Sequence, residues 1–121
     1  MHGVTSDLPL ASFVGKQCNQ IALGRLQVQF HFSGTGSISA ESRWELRDAA
    51  GNLIDGSCEH AARDAYRVHK IIDVPIMRFA IDTPKSFTLQ FESGHALIIF
   101  DDSDEFESFS IHLASGVSIF I

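Results

Sequence analysis

Hydrophobic and polar residues alternate along most of this chain with a period of two. The clearest stretch is Arg25-Leu26-Gln27-Val28-Gln29-Phe30-His31-Phe32, where Leu26, Val28, Phe30 and Phe32 share one face and Arg25, Gln27, Gln29 and His31 the other. That alternation predicts a strand with one face in a core and one in water. Gly24 turns it back onto Gln20-Ile21-Ala22-Leu23, and Gly34-Thr35-Gly36 turns it forward into a strand through Ile38 and Ala40. Further strands are expected around Trp44-Glu45-Leu46 and, after the Asp48-Ala49-Ala50-Gly51-Asn52 turn, at Leu53-Ile54.

Two segments break the alternation. Leu10, Phe13 and Val14 stand at helical spacing after Pro9 and predict a short helix ended by Gly15. Glu59 to Ile72 contains no Gly or Pro and puts Ala62, Ala65, Tyr66, His69 and Ile72 on one stripe, which predicts the main helix over 59–72, closed before Pro75. Alternation then resumes in Ile76 to Ile81 and in Phe87-Thr88-Leu89-Gln90-Phe91. Ala96-Leu97-Ile98-Ile99-Phe100 is continuously apolar, as a central strand is, and strands through Phe106, Ser108-Phe109 and Ile111 and through Val117 to Ile121 complete the series. The predicted fold is mainly β (α+β): antiparallel meander sheets forming a sandwich or roll, with one main helix and a core that includes Leu26, Val28, Phe30, Phe87, Leu89 and Phe91.

A length of 121 residues fits a single domain spanning 1–121, with 1–9 as an N-terminal tail. Within it, Phe13-Val14, Ile21, Leu26 to Phe30, Gly36 and Trp44 can be laid over Ile71-Ile72, Phe79, Phe87 to Phe91, Gly94 and Phe106. The match reads either as an internal duplication, with half-repeats 10–58 and 59–121, or as the spacing any two meanders share.

Charge changes the picture at one end. Residues 1–85 balance nine basic residues against nine acids, whereas 86–121 hold no Lys or Arg and six acids, so the formal net charge of −6 belongs to the C-terminal part. This argues against nucleic acid and against an anionic membrane surface as partners. Asp101, Asp102, Asp104, Glu105 and Glu107 fall within seven positions and form the candidate binding site for a basic protein partner. The uncharged strand Val117 to Ile121, left as a free edge, would invite pairing with another chain, so it is expected either to be covered internally or to be used in a homodimer. Met1 to Leu8 is polar, no apolar run reaches membrane-spanning length, and neither Cys18 nor Cys58 belongs to a C-x-x-C pair, so a cytoplasmic location with reduced thiols is expected.

Motifs of catalysis do not emerge. The acidic loop lacks the glycine and the closing glutamate of an EF-hand, the six histidines are dispersed, and no nucleophile elbow or phosphate-binding loop occurs. No metal, cofactor or catalytic residue is assigned. Trp44 between Arg43 and Arg47 suits either a cation–π cluster or the core.

Arg43-Trp44-Glu45-Leu46-Arg47-Asp48, Gly94 to Ser103 and Glu107-Ser108-Phe109-Ser110-Ile111 resemble a family of small bacterial proteins that carry only a domain-of-unknown-function label, the Ile-Phe-Asp-Asp-Ser run followed by Glu-Ser-Phe being the most specific piece. The resemblance implies no activity or cofactor. In size and acidity the chain is also similar in character to immunity proteins. The expected function is a non-catalytic protein-interaction module. The alternative is a small-molecule-binding protein or enzyme with a Phe-lined pocket, using Asp, His and Cys58 for its chemistry.

Overall fold

The computed structural model describes residues 4, 7–24, 27–57, 65–101 and 108–121, and these are mostly β, in two antiparallel five-stranded sheets with almost no helix. The strands are β1 (Cys18–Leu23), β2 (Val28–Phe32), β3 (Gly36–Ala40), β4 (Trp44–Arg47), β5 (Leu53–Gly56), β6 (Ile76–Asp82), β7 (Ser86–Phe91), β8 (Ala96–Phe100), β9 (Phe109–Leu113) and β10 (Ser118–Phe120). Sheet 1 runs β1-β2-β3-β9-β10 and sheet 2 runs β5-β4-β8-β7-β6.

Alternation fixes which side chains face inward. Val28, Phe30 and Phe32 on β2, Phe87, Leu89 and Phe91 on β7, and Leu97 and Ile99 on β8 are all buried, while Gln27, Gln29 and Gln90 are part-exposed. The two inner faces meet ring to ring. Phe30 of sheet 1 lies edge-on to Trp44 of sheet 2 at 6.0 Å, and Phe87 of sheet 2 edge-on to Phe109 of sheet 1 at 5.0 Å. The phenylalanines therefore pack against other rings in the core. Trp44 is core as well, and the guanidinium of Arg43 lies over Phe100 instead, 4.3 Å from its centroid.

Each half of the chain builds three strands of one sheet and then sends a hairpin across to the other. β1-β2-β3 form sheet 1 and β4-β5 join sheet 2; β6-β7-β8 form sheet 2 and β9-β10 join sheet 1. The registers correspond pair by pair. Cys18↔Phe32 matches Ile76↔Phe91, each followed by a bulge before the third residue of its strand. Ile21↔Phe30 matches Phe79↔Leu89, Phe30↔Ile38 matches Leu89↔Leu97, and Ala40↔Phe109 matches Ile99↔Trp44. In this register Val28 is the counterpart of Phe87, and Phe109 that of Trp44; Leu26, expected in the core and opposite Phe87, and Phe106, expected opposite Trp44, lie outside the described residues.

The expected helix over 59–72 is not present among the described residues, which contain no α-helix; residues 58–64 lie outside them. The described part of that span, 65–72, holds the 3₁₀ turn Val68–Ile71, matched in the first half by the 3₁₀ turn Ala11–Phe13 where a short helix was expected. Tertiary anchors take the backbone that a helix would use. Arg67 N donates to Asp55 Oδ2 at 2.6 Å, Asp73 N to Cys18 O at 2.8 Å, and Ile72 bridges Cys18. A short isolated helix is marginal in water, so such anchors outweigh its propensity. Asp73, with φ 67°, stands where the first half has Gly15, with φ 83°. The residues buried from this segment are Val68 and Ile71, not the stripe of Ala65, Tyr66 and His69.

Phe30 is fully buried against Trp44, so Phe30→Ala should cost about 3–5 kcal/mol and Leu89→Ala, at the matching position, about 2–5 kcal/mol in urea unfolding. A loss below about 1 kcal/mol at either position would contradict this packing.

Candidate functional site

The acidic segment begins from a fixed base. Asp101 is only 7% exposed, at the end of β8, and its N–H donates to Lys85 O at 2.8 Å. Ser108, fully buried, donates its Oγ to Asp101 Oδ1 at 2.7 Å, while its N–H donates to Ile121 O at 2.6 Å. Asp101 is thus an internal carboxylate satisfied by hydrogen bonding, which a surface contact is not. The other proposed partner-binding acids, Asp102, Asp104, Glu105 and Glu107, lie outside the described residues. The connection that carries them starts from sheet 2 and ends on sheet 1 beside the C-terminal residue. The role of Ser108 could not be read from the sequence, since nothing local marks its hydroxyl as the partner of a residue seven positions earlier.

The C-terminal hairpin forms one edge of sheet 1. β10 pairs with β9 and is the last strand of sheet 1. Ile121 and Phe109 exchange backbone hydrogen bonds, which makes Ile119↔Ile111 the next bonded pair and turns the N–H and C=O of Ser118 and Phe120 outward. Val117 is 52% and Phe120 49% exposed. The matching edge on sheet 2 is occupied: Tyr66 O–H donates to Gly56 O at 2.8 Å, and Arg67 Nη2 donates to Ile54 O at 3.3 Å. Among the described residues nothing occupies β10 in that way.

The outer faces of the sheets differ in kind. On sheet 2, Glu45 accepts from Arg43 at 3.0 Å and Arg47 at 2.9 Å. Burial works to raise the Glu45 pKa, but the bonds and charges of the two arginines prevail and hold it below the usual carboxylate value. On sheet 1 the outward positions read Gln20, Ala22, Gln29, His31, Ser37, Ser39, Ser110, His112, Ser118 and Phe120, with no Asp, Glu, Lys or Arg. His112 sits between two serines, Nε2 being 2.9 Å from Ser110 Oγ and Nδ1 3.0 Å from Ser118 Oγ, and its ring meets Phe120 edge-on at 5.5 Å. Beside it, at the β1–β2–β3 end, a shallow cleft of about 410 Å³ is lined by Asn19, Gln20, His31, Ser33, Thr35 and Ser37 among others.

No three His, Cys, Asp or Glu side chains gather as metal ligands among the described residues, and no described helix is long and apolar enough to cross a membrane. Cys18 is a free, buried thiol, and Cys58 lies outside the described residues. No protein-family model matches the chain, and neither a curated protein nor a solved structure gives a significant match.

Burial pushes the Cys18 thiol up to about 11, so in a Cys58→Ser variant disulfide reagents at pH 8 should modify Cys18 only at the rate of unfolding. The neutral thiol is the form the fold favours. Its contribution is therefore full below the ordinary value of 9.0 and is lost as pH rises toward about 11, so stability of the wild type should fall across that window more than that of Cys18→Ala.

Proposed function

We propose that this chain is a β-sandwich interaction module without catalysis, which binds a basic protein partner along β10 and the acidic residues that precede β9. The carrying observation is the contrast between the two matching edges: β5 is covered by Tyr66 and Arg67, whereas β10 presents outward N–H and C=O groups flanked by exposed Val117 and Phe120. Such an edge suits addition of a strand from a partner, with backbone bonds giving affinity and side-chain contacts specificity. Natural edges are usually protected by charge, proline or a bulge, and β10 has none of these.

The ends of the acidic connection, Asp101 and Ser108, are tied to each other and to Ile121, at the C-terminal end of that same edge. Asp102, Asp104, Glu105 and Glu107 would then supply the field that draws in a cationic partner. A second copy is the other reading of the same edge, because antiparallel pairing about a two-fold is self-complementary. The net charge of −6 on each copy opposes it and favours the basic partner. A buried, reduced Cys18 fits a cytoplasmic setting.

Phe120→Lys places a charge on the edge while leaving the inward Ile119 and Ile121 in place. Recovery of a basic partner from the native host should fall about tenfold or more with this variant. Asp102→Asn with Asp104→Asn should slow association chiefly at low salt. A partner that binds both variants as well as the wild type defeats the proposal, and light scattering that shows a dimer abolished by Phe120→Lys would transfer the edge to a second copy.

A further inference from the structure

The outer face of sheet 1 has a composition that the fold does not require. At the matching positions of sheet 2, Gln20 is replaced by Arg78, His31 by Gln90, Ser39 by Ile98, Ser110 by Glu45 and His112 by Arg47. One scaffold therefore carries a charged, partly apolar face on one side. On the other it carries a face of amides, hydroxyls and imidazoles without a formal charge among the described residues.

That neutral face divides in two. Toward β10 it satisfies itself through Ser110, His112 and Ser118, and Ser39 Oγ donates to Gln27 Oε1 at 3.3 Å. Toward β1 it does not. Among the described residues the side chains of Asn19, Gln20, His31 and Ser37 make no hydrogen bond to protein, and these four line the 410 Å³ cleft. Its volume falls within the roughly 300–1,000 Å³ typical of small-ligand sites.

The chemistry of those four groups selects the ligand class. An anion would call for Arg or Lys, and a hard cation for carboxylates, and the cleft lining has neither. Each amide offers donors and an acceptor side by side, the hydroxyl offers both, and an imidazole offers one of each when neutral. Vicinal hydroxyls of a sugar present the complementary pairs. We propose that the cleft at Asn19, Gln20, His31 and Ser37 binds a neutral polyhydroxylated ligand, a glycan, independently of the β10 edge.

The test titrates the full-length, isotope-labelled protein with uncharged hexaoses of glucose (β1,4 and α1,4), xylose, mannose and N-acetylglucosamine, with a sulfated oligosaccharide and inorganic phosphate as charged probes. At least one uncharged probe should give saturable amide shifts centred on β1, β2 and the β2–β3 turn. Gln20→Ala with His31→Ala should weaken that binding about tenfold or more, whereas Gln90→Ala, on the matching position of sheet 2, should leave it unchanged. Both substitutions lie on outward positions, and an unchanged amide spectrum elsewhere verifies the fold. Absence of shifts with every uncharged probe overturns the proposal, as does preferential binding of the sulfated probe or phosphate at this face, or equal loss with Gln90→Ala. Phe120→Lys should not alter the titration, so failure here and failure of the edge reading are read separately.

Discussion

The molecule depends on an exchange. Neither meander completes its own sheet: β3 finds its outer neighbour in β9, and β8 finds its own in β4. The exchange is held at its pivot by two reciprocal backbone bonds, Gly15 N to Ile76 O at 2.7 Å and Asp73 N to Cys18 O at 2.8 Å, with Gln17 and Pro75 bridged between them. These donors follow the 3₁₀ turns Ala11–Phe13 and Val68–Ile71, and both come from residues with positive φ, Gly15 and Asp73. The left-handed conformation turns each N–H toward the other half, and glycine takes it without penalty while aspartate tolerates it. Because each hairpin packs on the far sheet, strands of both halves bury one common core, and opening either half exposes the other's apolar face.

A core made by exchange frees the surfaces. Inward positions in the two halves remain apolar with modest changes of size, Phe30 against Leu89 and Ile38 against Leu97, since close packing tolerates volume-conserving exchange and little else. Outward positions have no such restraint. There Glu45, Arg47 and Arg78 answer to Ser110, His112 and Gln20, and the two sheets are chemically distinct.

How much of this was legible in the sequence follows from the range of each interaction. Alternation reports the local half-buried environment, so Val28, Phe30, Phe87 and Leu89 could be placed inside and Gln29 and Gln90 outside from the pattern alone. The helix expected over 59–72 misleads because propensity is local while its competitors are not: Asp55 captures Arg67 N, and Cys18 captures Asp73 N. The site suffers in the same way. Acidity along the chain marked Asp101 with its neighbours, yet the buried hydroxyl of Ser108 makes it structural, and the neutral face needs cross-strand register to be seen at all.

The two exchanged hairpins meet one constraint with different chemistry. β4-β5 and β9-β10 occupy equivalent places, so the same solvent problem arises at the outer edge of each. In sheet 2 the chain solves it with residues just upstream of the second meander: the Tyr66 hydroxyl and the Arg67 guanidinium fill the carbonyls of Gly56 and Ile54. The first meander has Leu8 and Pro9 at the positions corresponding to Tyr66 and Arg67, counting back from the paired 3₁₀ turns, and neither side chain can donate a hydrogen bond. Among the described residues, therefore, nothing in the first half takes the part of Tyr66 and Arg67 at the edge of β10. An unfilled row of backbone donors and acceptors costs little in water and gains much from a strand that can match it. On the reading proposed above, the edge left unfilled among the described residues is a place held for a partner strand.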